Sequence, residues 1–189
     1  MSNFSGGFIM PRLKQLTDEE ASSWVRKLFG KVKDGLGVMP TLFRCMANSE
    51  AIFEGFLGLN GSFANATLDP KYAKMVILRT SELNHCEYCV RAHTQMAKDA
   101  NLLDDEQCLN ARKGIGIDDK STYMLKFVDK VHKTAGFVSD EELNKMKEYG
   151  FSDGEIVEII GAMSLATMTN YLSHVAEPDL DFPEVPKVS

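Results

Sequence analysis

The chain has 189 residues, of which 44% are hydrophobic and 25% charged, as in globular proteins with a buried core. Its formal net charge of −6 at pH 7 disfavours nucleic acid as a partner, because phosphate backbones are bound through concentrated Lys and Arg side chains. The N-terminal sequence lacks the basic start and long apolar run of a secretory signal. We therefore expect a cytoplasmic protein whose cysteines are reduced.

Helix-start and helix-stop residues divide the sequence into predicted helices. Four residues precede a glutamate by three positions, the spacing of a capping box: Thr17, Asn84, Ser139 and Ser152. Asp69 followed by Pro70 predicts one further start. Four glycines follow periodic segments and predict helix ends: Gly35, Gly114, Gly136 and Gly150. The predicted helices span residues 17–34, 41–48, 50–66, 70–82, 85–100, 104–113, 118–135, 140–149 and 153–175. Since no alternating strand pattern of useful length lies between them, the predicted fold is all-α.

One helical domain is predicted, covering residues 17–176. Residues 1–16 and 177–189 are predicted to be extended arms, and the second arm holds three of the chain's six prolines. The apolar segment 156–172 contains Glu158, so a buried helix explains it better than a membrane span that would have to bury this charge. We therefore expect no membrane partner.

Two segments of the sequence share an apolar pattern at an offset of 84 residues. They are PKYAKMVILRTSELNHCEY, from residue 70, and GEIVEIIGAMSLATMTNYL, from residue 154. The alignment sets Asn170 opposite Cys86. Two repeated helical units would produce this pattern, and so would two unrelated amphipathic helices.

Cys86 and Cys89 form a C-x-x-C pair at a predicted helix start. With Asn84 as the predicted N-cap, the free amides and partial positive charge of the helix N-terminus would stabilise a thiolate. A dithiol with this spacing can close into a disulfide, one thiol attacking and the other resolving. His93 follows one turn after Cys89 and could move the proton that such chemistry requires.

Helical geometry sets Cys86, Cys89 and His93 on one face of this segment. The opposite face is polar: Asn84, Glu87, Arg91, Gln95 and Lys98. The thiols and the imidazole are therefore predicted to face a partly covered pocket. Two alternatives remain open, namely buried cysteines that only fill the core and a metal site completed by a ligand from elsewhere. We favour the redox pair and expect neither a bound metal nor a cofactor.

Several further residues are candidates for the same site. Glu82 stands just before the predicted helix and could orient a histidine or water, or pass on a proton. His85, Tyr88 and His174 are possible pocket residues, the last because it ends the apolar final helix. His132 is predicted to be a solvated histidine.

The segment VILRTSELNHCEYCVRAH resembles the carboxymuconolactone decarboxylase family in its alkylhydroperoxidase D-like branch. GVMPTLFRCMANSEAIFEGFLGL upstream and FSDGEIVEIIGAMSLATMTNYLSH downstream are also similar to that family, so the resemblance covers roughly residues 35–176. It implies an all-helical domain that assembles as a homo-oligomer, usually a trimer or hexamer.

The resemblance also implies an activity, that of an antioxidant thiol peroxidase or disulfide reductase. In that activity Cys86 and Cys89 would reduce a hydroperoxide to an alcohol, and His93 would relay protons. The resulting disulfide would be re-reduced by a dithiol donor, such as a lipoyl protein or a thioredoxin-like protein. The resemblance leans toward Cys89 as the attacking thiol.

The sequence departs from that family twelve residues before the first cysteine. The family's relay glutamate usually stands there, and this chain has Lys74. Glu82 is then the candidate replacement, reaching the site from a different point. Two other functions remain open: a non-catalytic redox-sensing or metal-binding scaffold, and a lyase of the carboxymuconolactone decarboxylase type.

Overall fold

The computed structural model describes residues 11–188, and within them all regular structure is helical. The α-helices are α1 (Ser23–Leu36), α2 (Thr41–Met46), α3 (Glu50–Ser62), α4 (Pro70–Leu83), α5 (Glu87–Asp99), α6 (Asp105–Arg112), α7 (Asp119–Thr134), α8 (Asp140–Glu148) and α9 (Asp153–Ala176). The all-α prediction is therefore confirmed. No helix in this part of the chain is both long and apolar enough to cross a membrane.

The helix boundaries follow capping side chains at most of the predicted positions. Ser139 and Ser152 make reciprocal capping boxes with Glu142 and Glu155, and Asp69 accepts a bond from the Lys71 amide. Three of the glycines predicted to end helices, Gly114, Gly136 and Gly150, have positive φ angles of 81°, 91° and 80°. These starts and stops are short-range effects, which explains why the sequence predicts them.

The predicted boundaries of the first helix are wrong at both ends. Thr17 and Glu20 do bond to each other's amides, but they close only a turn, and α1 starts six residues later with Ser22 as its N-cap. The helix ends at Gly37, whose φ of 72° fits a left-handed cap, rather than at Gly35. A capping box satisfies local amides whether or not the helix continues from it, so the motif alone does not fix the boundary.

Helix α4 lies at the centre of the fold. It contacts α5, α6, α7 and α9, and its side chains Met75, Val76 and Leu78 have no exposed surface. Arg79 on the same helix binds the Asp129 carboxylate of α7 through two bonds of 2.6 and 2.9 Å. A second core joins α1, α3 and α9, and a smaller cluster around Cys86 and Cys89 lies between α2 and α5.

The ends of the described chain pack against the helical domain. The Arg12 amide donates to the Ala176 carbonyl, at the end of α9. In the C-terminal arm, Asp181 accepts from the Thr41 amide at 2.7 Å, and the Pro186 carbonyl accepts from Arg112 at 2.7 Å. The predicted N-terminal arm, residues 1–16, lies mostly outside the described residues. The C-terminal arm is fastened across the face that carries the cysteines.

Candidate active site

The turn between α4 and α5 places Cys86 at the helix start. Asn84 ends α4, and His85 takes a left-handed conformation with φ of 57°. Cys86 is then the N-cap of α5, and its sulfur accepts a bond from the Cys89 amide at 3.4 Å. The prediction of Asn84 as N-cap is therefore wrong, because its side chain binds Asn170 on α9 instead.

The two thiols are buried and titrate in opposite directions. Cys86 and Cys89 are 1% and 2% exposed, and both are free. Hydrogen bonds from the Cys89 thiol and amide, with further help from Ser173 and the charge of His174, lower the pKa of Cys86 to about 6. The same thiol contact, together with burial and the charge on Cys86, raises the pKa of Cys89 well above its ordinary value. The pair therefore holds a single proton at neutral pH, on Cys89.

Residues of α9 complete the polar surroundings of the pair. Asn170 donates to the Ser81 hydroxyl at 3.1 Å and accepts from the Asn84 amide at 2.9 Å. The side chains of Asn170 and Thr169 also favour the Cys89 thiolate, opposing the effects that raise its pKa. In the sequence, Asn170 stands out only as the residue opposite Cys86 in the internal alignment, and no motif marks Thr169 or Ser173.

A cavity of about 680 Å³ opens beside Cys89. Its walls come from α1, α2, α3, α4, α5 and α9, and Phe182 of the C-terminal arm closes part of it. Cys89 and His93 line the cavity, whereas Cys86 does not. A volume of this size is typical of sites for small organic ligands.

Lys74 and His93 meet in this cavity. Lys74 Nζ lies 3.4 Å from His93 Nδ1, so Nδ1 accepts and the neutral ring carries its proton on Nε2. Burial and the nearby Lys74 charge lower the pKa of His93 well below its ordinary value. Burial also lowers the pKa of Lys74, to about 8. In the sequence, Lys74 stands out only as a departure from a family pattern, but in the structure it lies next to the predicted proton-relay histidine.

Of the remaining candidate residues, Tyr88 lines the cavity, whereas Glu82, His85 and His174 do not. Tyr88 lines the cavity and accepts a bond from the Leu42 amide at 3.3 Å. Glu82 accepts from Arg112 at 2.8 Å and is not among the residues that line the cavity. His85 is exposed and also does not line the cavity. His174 is exposed, and its charge acts on Cys86 rather than on the cavity.

His132 is exposed, as predicted, and in addition its Nε2 lies 2.9 Å from the Asn84 side-chain oxygen. Among residues 11–188, no group of three or more His, Cys, Asp or Glu side chains is arranged to hold a metal ion.

The helices that carry this site match a known family. The sequence of residues 50–113, from α3 through α6, matches the carboxymuconolactone decarboxylase family over about a third of the chain. The likeness to that family in sequence is therefore shown for this segment. The segment includes Lys74, both cysteines of the pair and His93. No curated protein sequence matches the chain.

Solved structures extend the likeness to nearly the whole chain. An alkylhydroperoxidase AhpD core protein from Ralstonia eutropha JMP134, described as an uncharacterized peroxidase-related protein, aligns with a TM-score of 0.82 at 19% identity, over 93% of this chain and 94% of its own. A peroxidase-related protein from Silicibacter sp. TM1040 aligns with a TM-score of 0.75 at 19% identity, over 92% of each chain. The debrominase Bmp8, in a cysteine-to-alanine variant bound to 2,3,4-tribromopyrrole, aligns with a TM-score of 0.70 at 15% identity, over 94% of this chain and 93% of its own. The chain therefore has the AhpD-like helical fold.

Proposed function

We propose that the chain is a thiol-dependent hydroperoxide reductase whose Cys86 and Cys89 cycle between dithiol and disulfide. The observation that carries the proposal is the pairing of a stabilised thiolate at a helix start with a second thiol that lines an organic-sized cavity. A structural cysteine pair would gain nothing from either feature. The AhpD-like fold and the family segment support the same interpretation.

In this proposal Cys89 attacks, because it is the sulfur that reaches the cavity. Its proton first passes to the Cys86 thiolate, to which it is already hydrogen-bonded. The Cys89 thiolate then attacks the distal peroxide oxygen, the O–O bond breaks, and an S–O bond forms as Cys89 becomes a sulfenic acid. The electron pair of the broken bond stays on the departing alkoxide.

His93 and Lys74 supply the proton that the alkoxide needs. His93 gives its Nε2 proton to the alkoxide and takes one from Lys74 at Nδ1, so the ring shifts its tautomer without becoming charged. Cys86 then attacks the sulfenic acid, an S–S bond forms, and the departing hydroxide leaves as water with the Cys86 proton. One hydroperoxide thus oxidises two thiols and yields one alcohol and one water.

Re-reduction requires an external dithiol. We propose a lipoyl protein or a thioredoxin-like donor, which would exchange thiols with the disulfide in the reducing environment of the cytoplasm. We also propose a homo-oligomer, a trimer or hexamer. The outward side chains Val157 and Val175 on α9, which are 70% and 55% exposed, support an interface there.

Mass spectrometry of the protein after one equivalent of cumene hydroperoxide tests the proposal. We expect the wild type to lose two hydrogens and both reactive thiols, the Cys86→Ser variant to hold a sulfenic acid at Cys89, and the Cys89→Ser variant to react far more slowly. If both thiols stay reduced, the reductase proposal fails, and a scaffold role or a lyase activity that survives in the double serine variant becomes the better interpretation.

A second candidate function is reductive dehalogenation. The large cavity beside Cys89 and the fold shared with the debrominase Bmp8 favour it. The thiolate would take bromine from a ring carbon, which gains a proton, and the second thiol would then displace bromide and close the disulfide. Release of bromide from a brominated pyrrole, in an amount equal to the disulfide formed, would support this function over peroxide reduction.

A further inference from the structure

Lys74 carries a positive charge into the cavity without an acidic partner. No Asp or Glu among residues 11–188 lies within 4.0 Å of its Nζ, and its one hydrogen-bond contact there is His93 Nδ1. An ammonium group has three N–H donors, so two of them have no acceptor in the described part of the chain. These two donors are free to bind water or the acceptor atoms of a ligand in the cavity.

The surroundings of Lys74 are otherwise suited to an apolar molecule. The apolar side chains that line the cavity include Leu28, Phe43, Phe56, Ile77, Met96 and Leu102. Lys31 and Glu54 are the other charged residues of the lining, and both are exposed, with Glu54 accepting a bond from Trp24 Nε1 at 3.2 Å. Lys74 is therefore the one charged residue of the lining that is not exposed, and it lies next to the His93 imidazole.

We propose that the cavity binds a carboxylate with an apolar body, and that Lys74 holds the carboxylate through the two N–H donors that His93 does not use. The inference rests on the proposed function, whose substrate would then be an organic hydroperoxide that also bears a carboxylate. The carboxylate lies at Lys74, the apolar chain or ring lies along the leucine and phenylalanine walls, and the peroxide lies at Cys89. A neutral hydroperoxide leaves the ammonium without a partner and binds less tightly.

The titratable groups that act on Lys74 are few. They are His93 from α5 and the Cys108 thiol from α6. The pKa of His93 is lowered well below its ordinary value, and burial raises that of Cys108 to about 11, so both are neutral near pH 7. Lys74, with a pKa of about 8, is charged at pH 7 and loses its charge as the pH rises above 8. Carboxylate binding therefore weakens over that range.

Octanoate and octanamide test the inference because they have the same apolar chain and neither oxidises a thiol. Trp24 is the chain's single tryptophan and lines the cavity, so its fluorescence reports binding, with titration calorimetry as a second measure. We expect the wild type at pH 7 to bind octanoate at least about tenfold more tightly than octanamide, the effect of one charged hydrogen-bonded pair. This preference should shrink between pH 8 and pH 10.

Three variants separate the charge from the fold. Lys74→Met should bring octanoate affinity down to that of octanamide, Lys74→Arg should keep the preference, and Lys71→Met, an exposed change on the same helix, should change neither. Melting temperatures confirm that each variant is folded. Equal affinities of the wild type for the two probes, an unchanged octanoate affinity in Lys74→Met, or no saturable octanoate binding would each overturn the inference.

Failure of the inference and failure of the proposed function are distinguishable. Octanoate binding does not involve the thiols, so it should persist in the Cys86→Ser variant, whereas cumene hydroperoxide lacks a carboxylate and reports only thiol chemistry. Selective octanoate binding without thiol oxidation would leave the ligand assignment standing and remove the reductase. Thiol oxidation without any preference for the carboxylate would support the reductase proposal and overturn the ligand assignment.

Discussion

Single residues decide the protonation chemistry of the cysteine pair. Cys86 lies at the N-cap of α5, with the Cys89 amide and thiol both directed at its sulfur, and these contacts outweigh the burial that would otherwise disfavour a thiolate. Cys89 is only three residues away and has the opposite shift. The spacing of the two cysteines in the sequence does not predict which pKa is lowered. The pKa values differ because only one of the two sulfurs can occupy the capping position.

Thiolate absorbance against pH tests this assignment. We expect the wild type to show one thiolate per chain with an inflection near pH 6, because the pKa of Cys86 is lowered to about 6. Below that pH the thiolate is lost, and alkylation of the pair by iodoacetamide slows in parallel. The Cys86→Ser variant should lack this inflection and titrate only at alkaline pH. An inflection near pH 6 that survives in Cys86→Ser and disappears in Cys89→Ser would reverse the assignment.

Helix α5 depends on an unusual capping residue at its start. Ser, Thr, Asp and Asn are the common N-caps, and here a cysteine sulfur accepts the bond from the amide three residues on. Serine can replace this bond, whereas alanine cannot. The capping role of Cys86 and its chemical role can therefore be separated by mutation.

Urea unfolding of four reduced variants tests the capping role. We expect Cys86→Ala to be less stable than Cys86→Ser by about 1 kcal/mol, the usual cost of losing a side-chain cap. Cys89 is buried inside the helix, so the two variants at this position serve as the control. There we expect the opposite order of stability, with Cys89→Ala at least as stable as Cys89→Ser. The same ranking at both positions would contradict a capping function for Cys86.

Glu82 joins α4 to α6 through an ion pair. Its carboxylate accepts from Arg112 at 2.8 Å, and the Arg112 side chain is 5% exposed. Removing one partner of such a pair leaves a buried charge uncompensated. We therefore expect Glu82→Gln to lower the free energy of unfolding by about 3 kcal/mol while leaving the pH dependence of thiol oxidation unchanged.

The same variant decides between two roles for Glu82. A proton-relay carboxylate, as the sequence predicts, would give a changed pH profile of thiol oxidation in the folded Glu82→Gln protein at low temperature. Arg79→Lys offers a matched control, because it weakens a comparable link between α4 and α7 without a carboxylate change near the site. Equal stability losses with an altered profile only in Glu82→Gln would favour the relay.

At the scale of the whole molecule, the C-terminal arm covers the cysteine site. Phe182 packs edge-on against Tyr88, with ring centroids 5.7 Å apart, and lines the cavity. Asp181 and the Pro186 carbonyl fasten the arm to α2 and α6. These contacts join residues more than 70 positions apart, so the arm restricts access to thiols that the sequence sets far from it.

Alkylation of the cysteine pair by iodoacetamide measures this restriction. We expect Phe182→Ala to raise the alkylation rate at pH 8 severalfold, because the ring that closes one side of the cavity is lost. Leu180→Ala is the control, since Leu180 is 52% exposed on the same arm. Equal rates in the wild type and Phe182→Ala would mean that the arm does not limit access.

Local sequence signals predict most helix boundaries, the all-α class and the C-x-x-C-x-x-x-H segment. These features depend on caps, glycines and periodicity, which act within a few residues of the chain. Helix packing decides that Cys86 rather than Asn84 caps α5, that Glu82 pairs with Arg112, and that Lys74 meets His93 inside a cavity. Each of these contacts depends on how α4, α5, α6 and α9 pack against one another. A side chain near a helix end has several possible hydrogen-bond partners, and the packing of the helices determines which of them is close enough to bind.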